Sequence, residues 1–186
     1  MRFSKTTVEG VKLVEFDRYV DDRGTFRRLW SQREAADANI GRAIVQSSIS
    51  VTSRRGTLRG MHFQLPPSRE DKVVQCLRGR IFDVALDLRA KSTSYLQHFG
   101  TELSEEQPRA LYIPAGCAHG FLTLTDDCTV LYMMTDYYNS ALSTGVRWDD
   151  PAFSIAWPER PAELLERDRT YPDFDDKSVR GFAGYR

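Results

Sequence analysis

Hydrophobic and polar residues alternate with a period of two along most of this chain. The clearest case is TVLYMMTDYY, which puts Tyr132, Met134, Asp136 and Tyr138 on one face, the mark of a half-buried β-strand. Upstream, VVQCLRGRIFDVALDLR reads as a hairpin turning near Gly79, with Phe82, Val84, Leu86 and Leu88 on one side and Asp83, Ala85 and Asp87 on the other. Asp87 is expected to face solvent, whereas Asp83, in mid-strand, needs a partner if buried. Val11, Leu13 and Phe16 predict a short strand, and Asp21-Asp22-Arg23-Gly24 a turn before a strand running through Phe26 and Trp30. Residues 43–51, AIVQSSISV, carry Gln46, Ser48 and Ser50 on one face; such positions line a pocket or face water, and the pattern alone does not choose. Pro114, Gly116 and Gly120 predict a tight corner around His119. Helical periodicity is sparse: residues 33–43 predict one short helix, PERPAELLERD a second that delivers Asp168, and the closing GFAGYR a surface tail. Many short strands separated by turn signals predict an all-β sandwich or barrel.

Length and charge narrow the classes of function. At 186 residues and 41% hydrophobic, the chain can bury one good core and is expected to form a single domain over 1–186. Lys+Arg and Asp+Glu both number 26, so no global field points to nucleic acid or a membrane surface, and any anion binding must be local. No apolar run approaches the ~18 residues of a membrane span, and MRFSKTTVEG lacks the apolar core of an export signal. Cys76, Cys117 and Cys128 have no paired spacing, which fits reduced thiols in a cytoplasmic protein.

Candidate chemistry centres on TLRGMHFQLPPSREDK, where His62 stands between Arg59 and Lys72. A base with two cations suggests a site for an anionic substrate; the plainer alternative is a half-buried strand histidine with solvated charges around it. Arg23, at a loop-to-strand corner, is either a ligand contact or an ordinary turn ion pair with its Asp neighbours. Pro114-x-Gly116-x-x-His119 resembles the second metal motif of cupin barrels, but the first motif should bear two histidines one residue apart and here reads His62-Phe63-Gln64, which argues against a bound metal. Cys117 shares a strand face with His119, so a Cys-His nucleophile is geometrically allowed, although packing is the more common role of a free cysteine. With an unperturbed pKa near 6.5, His62 can take a proton at neutral pH if a carboxylate holds its tautomer. Tyr132 could stand across a barrel interior as an acid, and Lys72 could stabilise an oxyanion, worth about 3 kcal/mol for one well-placed donor.

Taken together, DDRGTF (21–26), LRGMHFQ (58–64), Lys72, DVALDLR (83–89), IPAGCAHGF (113–121), YMMTDYY (132–138), VRWDDP (146–151) and IAWP (155–158) occur in an order that resembles the dTDP-4-dehydrorhamnose 3,5-epimerase family over nearly the whole chain. The resemblance implies a cupin-type jelly-roll β-barrel, usually a homodimer, that uses no metal or organic cofactor. It also implies inversion of the ring carbons flanking the 4-keto group of a nucleotide-linked, dTDP-type 4-keto-6-deoxyhexose in deoxysugar (rhamnose-type) biosynthesis. Carried over position by position, His62 matches the general base, Asp168 the acid that orients it, Lys72 the enolate-stabilising cation and Tyr132 the general acid on the opposite face. Arg23, Arg59 and Gln46 match positions that hold the nucleotide end, where guanidinium forks suit a diphosphate; Tyr138 matches the aromatic on which the base stacks, and His119 a sugar contact.

Three binding positions depart from the family pattern. Arg28 stands where a glutamate is usual, Ser48 where Gln-x-Asn ends in Asn, and Ser143 where a glutamate precedes the Gly-Val-x-Trp segment. Such changes alter which hydroxyl, amide or phosphate a pocket can satisfy, at about 1–3 kcal/mol for each unmatched buried polar group. They leave open a single-centre epimerase or ketoisomerase on another nucleotide sugar, or a cupin that binds a nucleotide sugar without catalysis.

Overall fold

The computed structural model describes residues 1–175, so the predicted GFAGYR tail lies outside the described residues. In chain order the strands are β1 (Arg2–Lys5), β2 (Lys12–Glu15), β3 (Tyr19–Asp21), β4 (Gly24–Phe26), β5 (Gln46–Thr52), β6 (Leu58–Gln64), β7 (Lys72–Arg78), β8 (Arg80–Asp87), β9 (His98–Ser104), β10 (Arg109–Ile113), β11 (Cys117–Thr123), β12 (Cys128–Met134) and β13 (Ser143–Gly145); the helices are α1 (Gln32–Asp37) and α2 (Glu166–Arg169). One sheet runs β1-β2-β10-β7-β12-β5, a second β13-β6-β11-β8-β9, and β3 with β4 forms a separate hairpin. From β5 to β8 the chain alternates between the two sheets, which makes the all-β architecture a jelly roll.

Alternation explains the layers. Inward residues of one sheet (Val74, Cys76, Leu111, Ile113, Val130) meet those of the other (Ile81, Ala85, Phe121) in a common core. Outward residues of the second sheet (Met61, Phe63, Val84, Leu86, Ala118) are covered by Val146, Phe153, Ile155, Trp157 and Phe174 from the C-terminal part of the chain. On the outer face of the first sheet, Val14, Val73, Ala110 and Met133 pack against Ala35 and Ile40 in and just after α1. Among the described residues, no helix is long and apolar enough to cross a membrane.

Several local expectations need correction. The strand predicted through Trp30 stops at Phe26. The helix predicted over 33–43 is Gln32–Asp37, because Ala38 caps it and Asn39 takes a left-handed φ of 62°. Gly79 makes a corner and not a hairpin: with φ +75° it passes the chain from β7 in one sheet to β8 in the other. The corner predicted around His119 lies earlier, at Pro114–Gly116, so that His119 sits within β11. The alternation of β12 ends at Met134, leaving Asp136 and Tyr138 beyond the strand. Of PERPAELLERD only the last three residues are helical, because residue 163 instead bridges to Thr57 in an extended conformation.

Asp87 is the largest correction. It is buried and accepts three bonds from Arg89, at 2.8 Å each from Nε and Nη2 and 3.0 Å from the backbone N–H, and one from Ser94 Oγ at 2.7 Å. Burial pulls its pKa up, yet these donors outweigh it and hold the carboxyl below its usual range.

Candidate active site

Polar side chains point inward where β5 and β12 face β6 and β11. Gln46, Ser48 and Ser50 share the inner face of β5, and Tyr132 on β12 is the cross-strand partner of Ser48. Lys72 pairs with Ile113 and Met134 in its sheet and so also faces inward, with its ammonium on Glu70.

Arg59 and His62 are three residues apart, which in a regular strand would put them on opposite faces. A bulge prevents this. His62 pairs with His119 and Arg59 with Phe121, so β6 spends one extra residue between them and both side chains face the interior. Gly60 makes the bulge possible: at φ +146°, a Cβ there would lie 2.4 Å from Gly120 Cα. Arg59 Nε then reaches across to Thr52 Oγ1 in the opposing sheet at 3.0 Å.

Two histidine–carboxylate pairs stand side by side. His62 Nε2 lies 2.8 Å from Asp168 Oδ1, and Asp168, only 1% exposed, also accepts from Gly60 N–H at 3.4 Å and Arg167 Nε at 3.3 Å. Burial raises the pKa of Asp168, but the bond and charge of His62 and the donors Gly60 and Arg167 outweigh it and hold the carboxyl low. An ionised Asp168 takes the Nε2 proton as its donor, which leaves His62 Nδ1 as the basic atom. The second pair is His119 Nε2 with Asp83 Oδ1 at 2.7 Å, both buried. His119 stands edge-on to Tyr132, with ring centroids 5.8 Å apart at 78°, so the phenol lies across the interior from the strands that carry both histidines. Burial, then the charge of Asp83, push the Tyr132 pKa up and keep it an acid. Among the described residues no three His, Cys, Asp or Glu side chains gather as metal ligands would. Cys117 is buried with its pKa pushed up by burial, which suits packing.

The remaining predicted residues divide into two sets. Gln46 Oε1 accepts from Tyr138 N–H at 3.2 Å, and exposed Tyr138 borders a groove of about 510 Å³ with Pro67, Tyr137 and Leu142. Ser143 opens β13 opposite Gln64. Arg23 and Arg28 are not brought to the interior: Arg23, 90% exposed, turns back on Asp21, and Arg28 pairs with Glu34 of α1. Sequence reasoning missed Arg167, whose Nη2 lies 3.1 Å from His62 Nε2; its only signal was adjacency to Asp168. Asp83 was marked as needing a partner, and that partner is His119.

The sequence profile described as dTDP-4-dehydrorhamnose 3,5-epimerase matches residues 5–176. A relative from Sinorhizobium fredii bearing that name is 39% identical, with 96% of this chain and 92% of the relative covered. Among solved structures, the dTDP-4-dehydrorhamnose 3,5-epimerase of Bacillus anthracis, with TDP and PPi bound, is similar at a TM-score of 0.89 and 34% identity, covering 93% of this chain and 99% of that one. A 4-keto-6-deoxy sugar epimerase from the novobiocin cluster of Streptomyces spheroides is similar at a TM-score of 0.90 and 34% identity, covering 98% and 92%.

Proposed function

The chain belongs to the dTDP-4-dehydrorhamnose 3,5-epimerase family, and on that footing we propose that it is an isomerase that inverts carbon 3, carbon 5 or both in a dTDP-linked 4-keto-6-deoxyhexose. The observation that carries this reading is the pairing of a carboxylate-held histidine with a protonated tyrosine across one interior, His62–Asp168 on one side and Tyr132 on the other. His62 Nδ1 takes the proton beside the ketone, and the C–H electron pair becomes the enolate double bond. Asp168 stabilises the imidazolium, and Lys72 the enolate oxygen once substrate competes with Glu70 for its ammonium. Tyr132 returns a proton to the opposite face, the ketone re-forms, and the centre is inverted; the two groups flanking the ring make delivery from the far face the shorter path. Arg59 and Gln46 hold the nucleotide end, Tyr138 stacks on its base, His119 contacts the sugar, and Ser48 and Ser143 line the binding surface.

The working unit proposed is a homodimer. Its support is the exposure of Tyr19, Val20 and Phe26 on the β3–β4 hairpin and of Val45, Ile49 and Val51 on or beside edge strand β5, apolar side chains of the kind that an interface covers. A second copy would also give Arg23 and Arg28, which face away from their own interior, a site to serve. The compartment proposed is the cytoplasm, in keeping with three buried free cysteines.

Proton NMR in heavy water with dTDP-4-keto-6-deoxyglucose tests the reaction. Loss of both ring-proton signals beside the ketone is expected of a double epimerase and loss of one of a single-centre enzyme; no exchange refutes this substrate. His62→Ala should abolish wash-in of deuterium at every exchanging carbon, and Tyr132→Phe should keep exchange while losing inversion.

A further inference from the structure

Asp83 on β8 is 0% exposed, and among the described residues one of its two carboxylate oxygens has a partner. Oδ1 meets His119 Nε2, while Oδ2 is buried without a hydrogen-bond partner among the described residues. An ionised group in that state carries a desolvation cost, and the reaction above gives it no task. Its link to the reaction is short: Asp83 bonds His119, and the His119 ring packs edge-on against Tyr132. We propose that Asp83 is a positioning residue for the proton-return step, its charge held in place by His119 so that Tyr132 stays protonated until the enolate forms and its phenolate is short-lived afterwards. This rests on the reading of Tyr132 as the returning acid.

The step balances as follows. The Tyr132 O–H bond breaks, its proton and the enolate π pair form the new C–H bond, the C=O bond re-forms, and a phenolate remains. That phenolate feels the charge of the Asp83 carboxylate, whose Oδ2 has no hydrogen-bond partner among the described residues, in an interior where like charges repel more strongly than in water. It therefore takes a proton from solvent, His62 gives one up, and the enzyme is reset. The groups around Tyr132 are Asp83 on β8, His119 on β11 and Arg59 on β6, with Ser48 and Ser50 on β5 and Val74 on β7. Arg59 pulls the phenol's pKa down, but burial and Asp83 push it up and prevail.

Asp83→Asn keeps volume and an acceptor for His119 while removing the charge. In heavy water, deuterium wash-in reports His62 and the appearance of inverted sugar reports Tyr132, each followed against pH on the full chain. The alkaline limb of inversion should move down by about one pH unit or more, the ordinary effect of one neighbouring like charge. Above that limb the ratio of inversion to wash-in should fall about tenfold, and Asp83→Glu should restore it. An unmoved limb with an unchanged ratio overturns the proposal, as does an equal fall in both rates, which marks a merely structural role. A wild-type protein with no wash-in instead strikes the proposed function, so the two failures are distinguishable. Ultraviolet difference titration against Tyr132→Phe gives a second reading: ionisation of Tyr132 in the wild type at or below the ordinary phenol pKa of about 10 refutes the proposal, and a titration that moves to lower pH in Asp83→Asn separates the part of the carboxylate from that of burial and supports it.

Discussion

Replacing Asp168 with Asn removes one charge and almost no volume from behind His62. The wild-type carboxylate accepts from His62 at 2.8 Å, Arg167 Nε at 3.3 Å and Gly60 N–H at 3.4 Å. With its oxygen in the Oδ1 place, where Arg167 Nε also donates, an Asn still accepts from His62 Nε2–H and keeps the tautomer. What is lost is the charge-assisted part of the bond, which matters most once His62 has become an imidazolium. Hydrogen bonds to charged groups contribute about 1.5–3 kcal/mol. At 1.36 kcal/mol per tenfold, proton abstraction should slow about 10- to 160-fold. Arg167, with Nη2 3.1 Å from the same nitrogen, loses its counter-charge and pushes the result toward the slow end. Deuterium wash-in by NMR measures this directly, and Asp168→Ala should be slower still because the tautomer is then unsupported. Wash-in at the wild-type rate in the Asn variant would refute the dyad. Stability offers a second reading of the same residue. The folded pKa of Asp168 lies below its unfolded value, since the donors outweigh burial. Its contribution is therefore complete above the unfolded pKa of about 3.9 and is lost as pH falls through the lower folded value. The stability gap between wild type and Asp168→Asn should close in that acid window and stay constant at neutral pH.

Three further outcomes follow from the fold. Arg89→Met strips buried Asp87 of two of its donors and should cost about 3–5 kcal/mol, seen as a lower urea midpoint; an unmoved midpoint would show the pair to be dispensable. Gly60→Ala should destabilise by at least about 1–3 kcal/mol, since its Cβ would meet Gly120 Cα at 2.4 Å; wild-type melting and wash-in together would refute the role given to the bulge. Ile49→Asp, on a strand face 61% exposed at that residue, should convert a dimer to a monomer in analytical ultracentrifugation, and a persistent dimer would move the interface elsewhere.

The order of residues alone carries the class of elements, the family and the residue types from which the proposed chemistry is built. Period-two alternation, turn residues and ordered motifs are local signals, and they marked the β architecture, the family, and His62, Lys72 and Tyr132. Polar Gln46, Ser48 and Ser50 were recognised as one face, but not as the inward one. Tertiary structure decided everything that depends on which strands meet. Gly79 separates two sheets because β7 finds β10 and β12 while β8 finds β9 and β11. Asp87 is buried because Arg89 and Ser94 satisfy it inside the fold, a balance of desolvation against donors that alternation cannot report. His62 and Asp168 are 106 residues apart and meet only because α2 docks behind β6. Arg59 and His62 share a face only through a bulge that one glycine packed on another permits. Spacing along a chain measures neighbours within an element, whereas a site is made of neighbours between elements, and their placement is set by nonlocal pairing and packing.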